Sequence, residues 1–326
     1  MNGIEKIQDI FDWSSGIISA ISFFASLIVI KVFYLKRLHK NITNQFVMQL
    51  IISEMINNLN HVSPIINYFV GRKEEKYYER RRVCFTQIYT GLFTNFYTLF
   101  SSFLISFRIY DLLVNNSMTF RKPKNVTRAK VLSFYICALI SYIIWFLQIE
   151  ILQNYTGSGR YFRVLTCWVG FELDCASSGI FAIFIILTFI YCIKSRSFVQ
   201  NYQKRLYEED DLNINDASSD KSLEEIQKIK VVQKRLVLYP IVTTILFSLI
   251  IVYRVLSYLN NDNKEVAIIC LVLYSLTSVL RGFIFIIIYF GTQQVFRDGL
   301  YEFFTCKNWK ETKIIIPEKL NLEEIY

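Results

Sequence analysis

The chain has 326 residues, 53% of them hydrophobic and 16% aromatic, with only 11 Gly and 4 Pro, and so carries more apolar side chain than a water-soluble domain does. Its formal net charge of +9 comes without a basic recognition helix, a zinc-ligand spacing or an aromatic–basic RNA signature, which excludes nucleic acid as a partner. His39 and His61 are the only histidines, which excludes multi-histidine metal sites, and no catalytic cluster is recognisable; no enzyme activity, metal or cofactor is expected.

A hydrocarbon core of about 30 Å takes roughly 20 helical residues to cross. Seven runs are long and apolar enough on this reading. They predict an all-α membrane protein: a seven-transmembrane helix bundle over residues 15–290, with a short amphipathic helix after the seventh span. Residues 1–14 hold Glu5, Asp9 and Asp12 against Lys6 alone, which is unlike a secretory signal. They read as an extracellular N-terminus, with the first span, Ser15–Leu35, retained.

The second span, Asn44–Val70, carries Glu54, Asn57 and Asn58. The third, Val83–Val114, begins at Cys84 and ends in FRIYDLL, with Arg108, Tyr110 and Asp111 at its inner end. The fourth runs Ala129–Leu152, and the outer loop after it holds Arg160, Arg163, Cys167, Trp168 and Cys175. The fifth runs Ala176–Phe198. Residues 199–228 follow; their acidic, polar stretch EEDDLNINDASSDKSLEE predicts a disordered inner loop in which Ser218, Ser219 and Ser222 are open to phosphorylation. The sixth, Val231–Leu259, contains Lys234 and Arg235 at its inner end and Pro240 just inside. Proline removes a backbone hydrogen bond and kinks a helix, which makes this span the expected moving part. The seventh runs Glu265–Phe290 and carries Arg281. Residues 291–305 place Phe296, Leu300, Phe303 and Phe304 on one face, the pattern of an interfacial helix resting on membrane lipids. Cys306 at its end is a palmitoylation candidate, an unmodified thiol being the plainer reading, and residues 306–326 form a cytoplasmic tail.

Lysine and arginine set the orientation. With the N-terminus outside, the inner segments hold more than twice the basic residues of the outer ones, although the outer stretch RKEEKYYERRR dissents. The expected location is therefore the plasma membrane, multi-pass, with the C-terminus cytoplasmic. The outer side permits disulfides, and a Cys84–Cys167 bridge is expected, with Cys175 the competing partner.

Charges at bilayer depth need a reason, since each costs about 2.5–3.5 kcal/mol on insertion scales. Glu54 lies ten residues into the second span and Arg281 nine residues from the inner end of the seventh, which puts them at the same depth. An ion pair between them is expected, with Asn57 and Asn58 as further polar partners. It serves either as a static buried pair or as a switch. Arg254, preceded by Tyr253 near the outer end of span six, is a ligand-pocket residue with Arg163 and Trp168, the planar guanidinium suiting carboxylate or phosphate. The plainer reading is an arginine snorkelling to the headgroups. At the inner face, Arg108, Tyr110, Lys234 and Arg235 stand where a partner protein enters once helices part.

Three stretches carry a family likeness. LYPIVTTILFSLIIVYRVLSYL resembles the sixth helix of slime-mould cyclic-AMP-receptor-like proteins. SVLRGFIFIIIYFG resembles their seventh, through Gly282, Phe283, Tyr289 and Gly291. TCWVG, with Cys167 and Trp168, resembles the Cys-Trp pair of that family and of secretin-type receptors, and fungal glucose-sensing receptors share the general pattern. The resemblance implies a G-protein-coupled receptor that binds an extracellular ligand and activates a heterotrimeric G protein through its inner loops. It names no ligand, because Arg281 stands where a neutral polar residue is usual, and Phe285 and Ile286 where polar residues are. The alternative is a seven-span transporter or channel, which would need a polar path and commonly an internal repeat; no repeat is evident.

Overall fold

The structure is a computed structural model that describes residues 2–36, 38, 42–69, 77–113, 123–154, 171–210, 219–259, 264–292, 297 and 301. Among them the architecture is all-helical. The seven long helices are α1 (Asn2–Leu35), α2 (Ile42–Phe69), α3 (Tyr77–Leu113), α4 (Pro123–Asn154), α5 (Phe171–Asp210), α6 (Ser219–Leu259) and α7 (Lys264–Thr292). Each packs on its neighbour in chain order, and α7 returns to α1, closing a ring. Helix α3 lies inside the ring, against α2, α4, α5 and α6, while α2 also touches α7.

Five of the helices hold stretches long and apolar enough to cross a bilayer: Trp13–Leu35, Thr127–Leu147, Ser177–Phe198, Val237–Leu256 and Val272–Gly291. Several such helices in one chain are the mark of a multi-pass membrane protein. Helices α2 and α3 are as long but do not reach that apolarity among the described residues, because their buried faces carry Gln49, Ser53, Glu54, Asn57 and Asn58, and Thr94, Asn95, Thr98, Ser101, Ser102 and Ser106. They are also the helices least turned outward. Among the described side chains α3 exposes no large hydrophobic residue and α2 only Leu59, whereas α4 exposes Leu132, Tyr135, Leu139, Tyr142 and Phe146.

Two dry cores hold the bundle. One joins Val29 and Phe33 of α1, Phe46 and Leu50 of α2, Ile105 and Ile109 of α3, Tyr239 of α6, and Phe285 and Tyr289 of α7. The other joins Leu92, Phe96 and Leu99 of α3, Cys137 and Ile144 of α4, Phe181 of α5, and Phe247 and Ile250 of α6. Aromatic rings dominate the α3–α5 contact. Phe96 lies edge-on to Phe181 at 4.9 Å, and Tyr191 meets Phe103, Phe107 and Tyr110. Such ring pairs add about 0.5–1.5 kcal/mol each beyond the area they bury.

Helix α1 approaches by a different route. Ser15, Ser19, Ser22 and Ser26 recur at spacings of four, three and four, and all are buried. Small side chains on one face let helix backbones come close where lipid gives no hydrophobic drive for association. At the end of that stripe Phe33 stacks on Tyr289 of α7 at 4.7 Å.

The inner loop differs from expectation. Helix α5 continues to Asp210 and α6 begins at Ser219, so much of the 199–228 stretch expected to be disordered is helical, and only residues 211–218 of it lie outside the described residues. The physical reason is that low hydrophobicity does not preclude a helix. KSLEEIQKIKVVQKRL is rich in Lys, Glu, Gln, Leu and Arg, which are good helix formers, and it extends an already nucleated apolar helix. Ser219 and Ser222 lie on this helix, whereas Ser218 is outside the described residues. Of the expected amphipathic helix 291–305, Gly291 and Thr292 belong to α7, Arg297 and Tyr301 are described beyond it, and the rest, together with Cys306, falls outside the described residues.

Candidate functional site

The site is a polar seam where α2, α3 and α7 meet. Glu54, Asn57, Asn58 and His61 recur at the three- and four-residue spacing that puts them on one face of α2. Ser278, Arg281 and Gly282 do the same on α7, and Thr94 and Thr98 on α3.

The structure brings Glu54 and Arg281 together. Arg281 Nε stands 2.8 Å from Glu54 Oε1, and neither side chain is more than 1% exposed. The contact is a charge pair rather than an aligned hydrogen bond, since Nε has no hydrogen-bond acceptor in line. Thr98 meets the same carboxylate oxygen: its hydroxyl donates to Glu54 Oε1 at 2.7 Å and lies 2.9 Å from Ser53 Oγ. The Ser53 hydroxyl donates to the Thr94 carbonyl at 2.9 Å. The guanidinium carbon of Arg281 sits 4.5 Å from the centre of the Phe247 ring on α6. One arginine on α7 therefore holds α2 through charge and α6 through a cation–π contact, the latter worth about 2 kcal/mol when desolvated.

Asn57 and Asn58 lie beside the pair but do not hydrogen-bond to it. The Thr94 hydroxyl, which donates back to the Thr90 carbonyl at 2.9 Å, stands 3.3 Å from the Asn57 amide. The Asn58 amide presses on Gly282, where an added Cβ would collide with it. Glycine at this position is what lets α2 and α7 come close enough for the charge pair next to it. Further along the same helices His61 Nε2 and Ser278 Oγ meet at 3.3 Å.

Desolvation makes this layer demanding. Breaking a buried pair by deleting one partner typically costs about 3–5 kcal/mol, and each buried polar group left unpaired costs about 1–3 kcal/mol. Sequence reasoning missed Thr98, Ser53 and His61 as members of the layer. For His61 the detectable signal was its position two turns along α2 from Glu54; Ser53, next to Glu54 in the chain, and Thr98, on another helix, carried no such signal.

The other expected residues lie elsewhere. Arg254 is half-buried; its Nη2 donates to the Tyr274 hydroxyl at 2.8 Å and its Nη1 to Ser177 Oγ at 3.3 Å, so it clasps α6 to α7 and α5. Its guanidinium also lies 4.8 Å from the Tyr274 ring centre. Tyr253 beside it is half-buried, and Arg163 and Trp168 lie outside the described residues, as does Cys167. Cys84 is on α3, but its side chain is outside them too, as are the side chains of Lys234 and Arg235 on α6. Pro240 lies inside α6, which remains one continuous helix. Arg108 is 2% exposed and stands 4.0 Å from Asp111 one turn along α3. Tyr110 packs on Tyr191 at 5.3 Å, with Lys194 Nζ 5.9 Å from its ring centre, tying the C-terminal end of α3 to α5.

No protein-family model matches the chain, and no curated protein is similar to it beyond chance.

Proposed function

We propose that this chain is a seven-span G-protein-coupled receptor, which binds an extracellular ligand and activates a heterotrimeric G protein when α6 and the inner loops move. The observation that carries this reading is a closed seven-helix ring in which α2, α3 and α7 bury a shared polar layer centred on the Glu54–Arg281 pair. Helices α2 and α3, at 28 and 37 residues, span about 30 Å or more, so both are long enough to be crossings even though their hydropathy falls short. Counting them makes seven crossings and puts the chain's two ends on opposite sides of the membrane.

In this reading Glu54–Arg281 holds the resting arrangement. The pair links α2 to α7, and Phe247 extends the link to α6, two turns from Pro240. Proline leaves the Leu236 carbonyl without its helical donor, which makes the inner half of α6 easier to displace. Arg108, buried beside Asp111, becomes available to a partner once α6 moves.

The test is a ligand screen in cells read by G-protein dissociation, repeated with Arg108→Ala. Loss of signalling with normal surface expression is expected; retained signalling removes Arg108 from the mechanism. The transporter or channel reading draws on the same polar seam, so ion currents and solute uptake are measured in the same cells. Transport without G-protein activation would replace the receptor reading.

A further inference from the structure

The polar seam has more hydrogen-bonding capacity than the protein itself satisfies. Glu54 Oε2, Asn57 Nδ2, both amide atoms of Asn58, and Nη1 and Nη2 of Arg281 have no protein hydrogen-bond partner, and all four side chains are at most 1% exposed. These atoms belong to one layer. Glu54 and Arg281 are in contact, Asn57 and Asn58 lie one turn along the same α2 face, and Asn58 touches Gly282, the residue after Arg281. Polar atoms this deep in a bundle are nearly always partnered.

The chemistry of the set selects the partner. It offers donors (the Arg281 fork, the Asn57 and Asn58 amide nitrogens) and acceptors (Glu54 Oε2, Asn58 Oδ1) side by side. The charges of Glu54 and Arg281 cancel. An anion drawn to the fork would face the carboxylate, and a cation drawn to the carboxylate would face the guanidinium. A small neutral ligand that both donates and accepts suits both. Phe247 covers one face of the guanidinium, which leaves its edge for hydrogen bonding.

We propose that the α2–α3–α7 seam is a binding site for a small cluster of internal waters, joining the Arg281 fork to Asn58 and to the second carboxylate oxygen of Glu54. A buried water makes roughly three hydrogen bonds, so about two or three molecules serve the set. The waters make the α2–α7 contact a wet joint beside two dry cores, and they can exchange partners without leaving a charge bare. The site follows from its polar groups alone and stands whether or not the chain is a receptor.

The test uses the full chain in phospholipid nanodiscs. A density map fine enough to show ordered water is expected to place peaks within hydrogen-bond distance of Arg281 Nη1 or Nη2 and of the Asn58 amide. A seam closed by side chains with no such peaks would overturn the proposal. Asn58→Leu gives an independent readout. Loss of a water-bridging amide lowers the unfolding temperature by several degrees, whereas removal of a dry, unpartnered amide raises it. Exchanging sodium chloride for choline chloride, or for sodium gluconate, is expected to leave the unfolding temperature of the unaltered chain in place. A shift on either exchange would assign the site to an ion and overturn the assignment to water.

Discussion

Helices α2 and α4 are of similar length, 28 and 32 residues, yet they solve opposite problems. Helix α4 turns Leu132, Tyr135, Leu139, Tyr142 and Phe146 outward, packs on α3 and α5, and reaches α2 only through two polar contacts among the described residues, Lys130 donating to Gln45 and Gln49 donating to Ser133. Helix α2 buries Glu54, Asn57 and Asn58 and is enclosed by α1, α3 and α7. The contrast teaches that, in a helical bundle, hydropathy follows how much of a helix faces outward and not how long the helix is. A helix shielded by its neighbours is free to carry polar side chains, provided each finds a partner.

The sharpest way to break the comparison is to unpair the seam. Glu54→Leu or Arg281→Leu alone should destabilise the bundle by about 3–5 kcal/mol, because the remaining charge is buried without its partner. The double substitution should recover much of that loss, since an apolar pair of similar volume often matches a buried ion pair. Thermal unfolding of the four proteins in nanodiscs measures the coupling. Additive losses would mean that the two charges do not interact.

Next in size is Gly282→Ala. Its Cβ collides with the Asn58 amide, and overpacking of this kind costs about 1–3 kcal/mol. Asn58→Ser in the same chain should relieve most of the strain. If the single variant unfolds like the parent, α2 and α7 are farther apart than described.

Thr98→Val keeps the shape and removes the hydroxyl that donates to Glu54. A hydrogen bond to a charged group contributes about 1.5–3 kcal/mol, and the lower end is expected here because Arg281 still stands 2.8 Å from the same carboxylate oxygen. Denaturation of Thr98→Val beside Thr98→Ser, which keeps the hydroxyl, separates this from packing. Equal losses in the two would place the effect in the methyl group.

The smallest effect belongs to α4. Leu139→Ala removes apolar surface that faces outward, so stability in a bilayer should change by no more than about 0.5 kcal/mol. A loss like that of a core leucine would show that another protein surface, rather than lipid, covers α4.

Much of the fold was legible beforehand, for a physical reason. A run such as ISAISFFASLIVIKVF has no stable place but a lipid-facing or buried helix, and backbone groups in lipid must be satisfied within the helix. The meeting of Glu54 with Arg281 was legible too, because helical rise puts residues equally far along two neighbouring helices at one level. The helical extensions of α5 and α6 were not, since a charged, polar composition reads as a loop even where its residues are good helix formers.

Sequence by itself determined which segments are apolar, how long they are, and which charges interrupt them, since each of these is a property of the local chain. Tertiary structure alone decided the rest of the seam. It chose Thr98 as the partner of Glu54, set Phe247 over Arg281, packed Asn58 on Gly282, and turned Arg254 toward Tyr274 and Ser177. Those contacts depend on how each helix is rotated about its axis against its neighbours, and that rotation is settled only when all the helices pack at once.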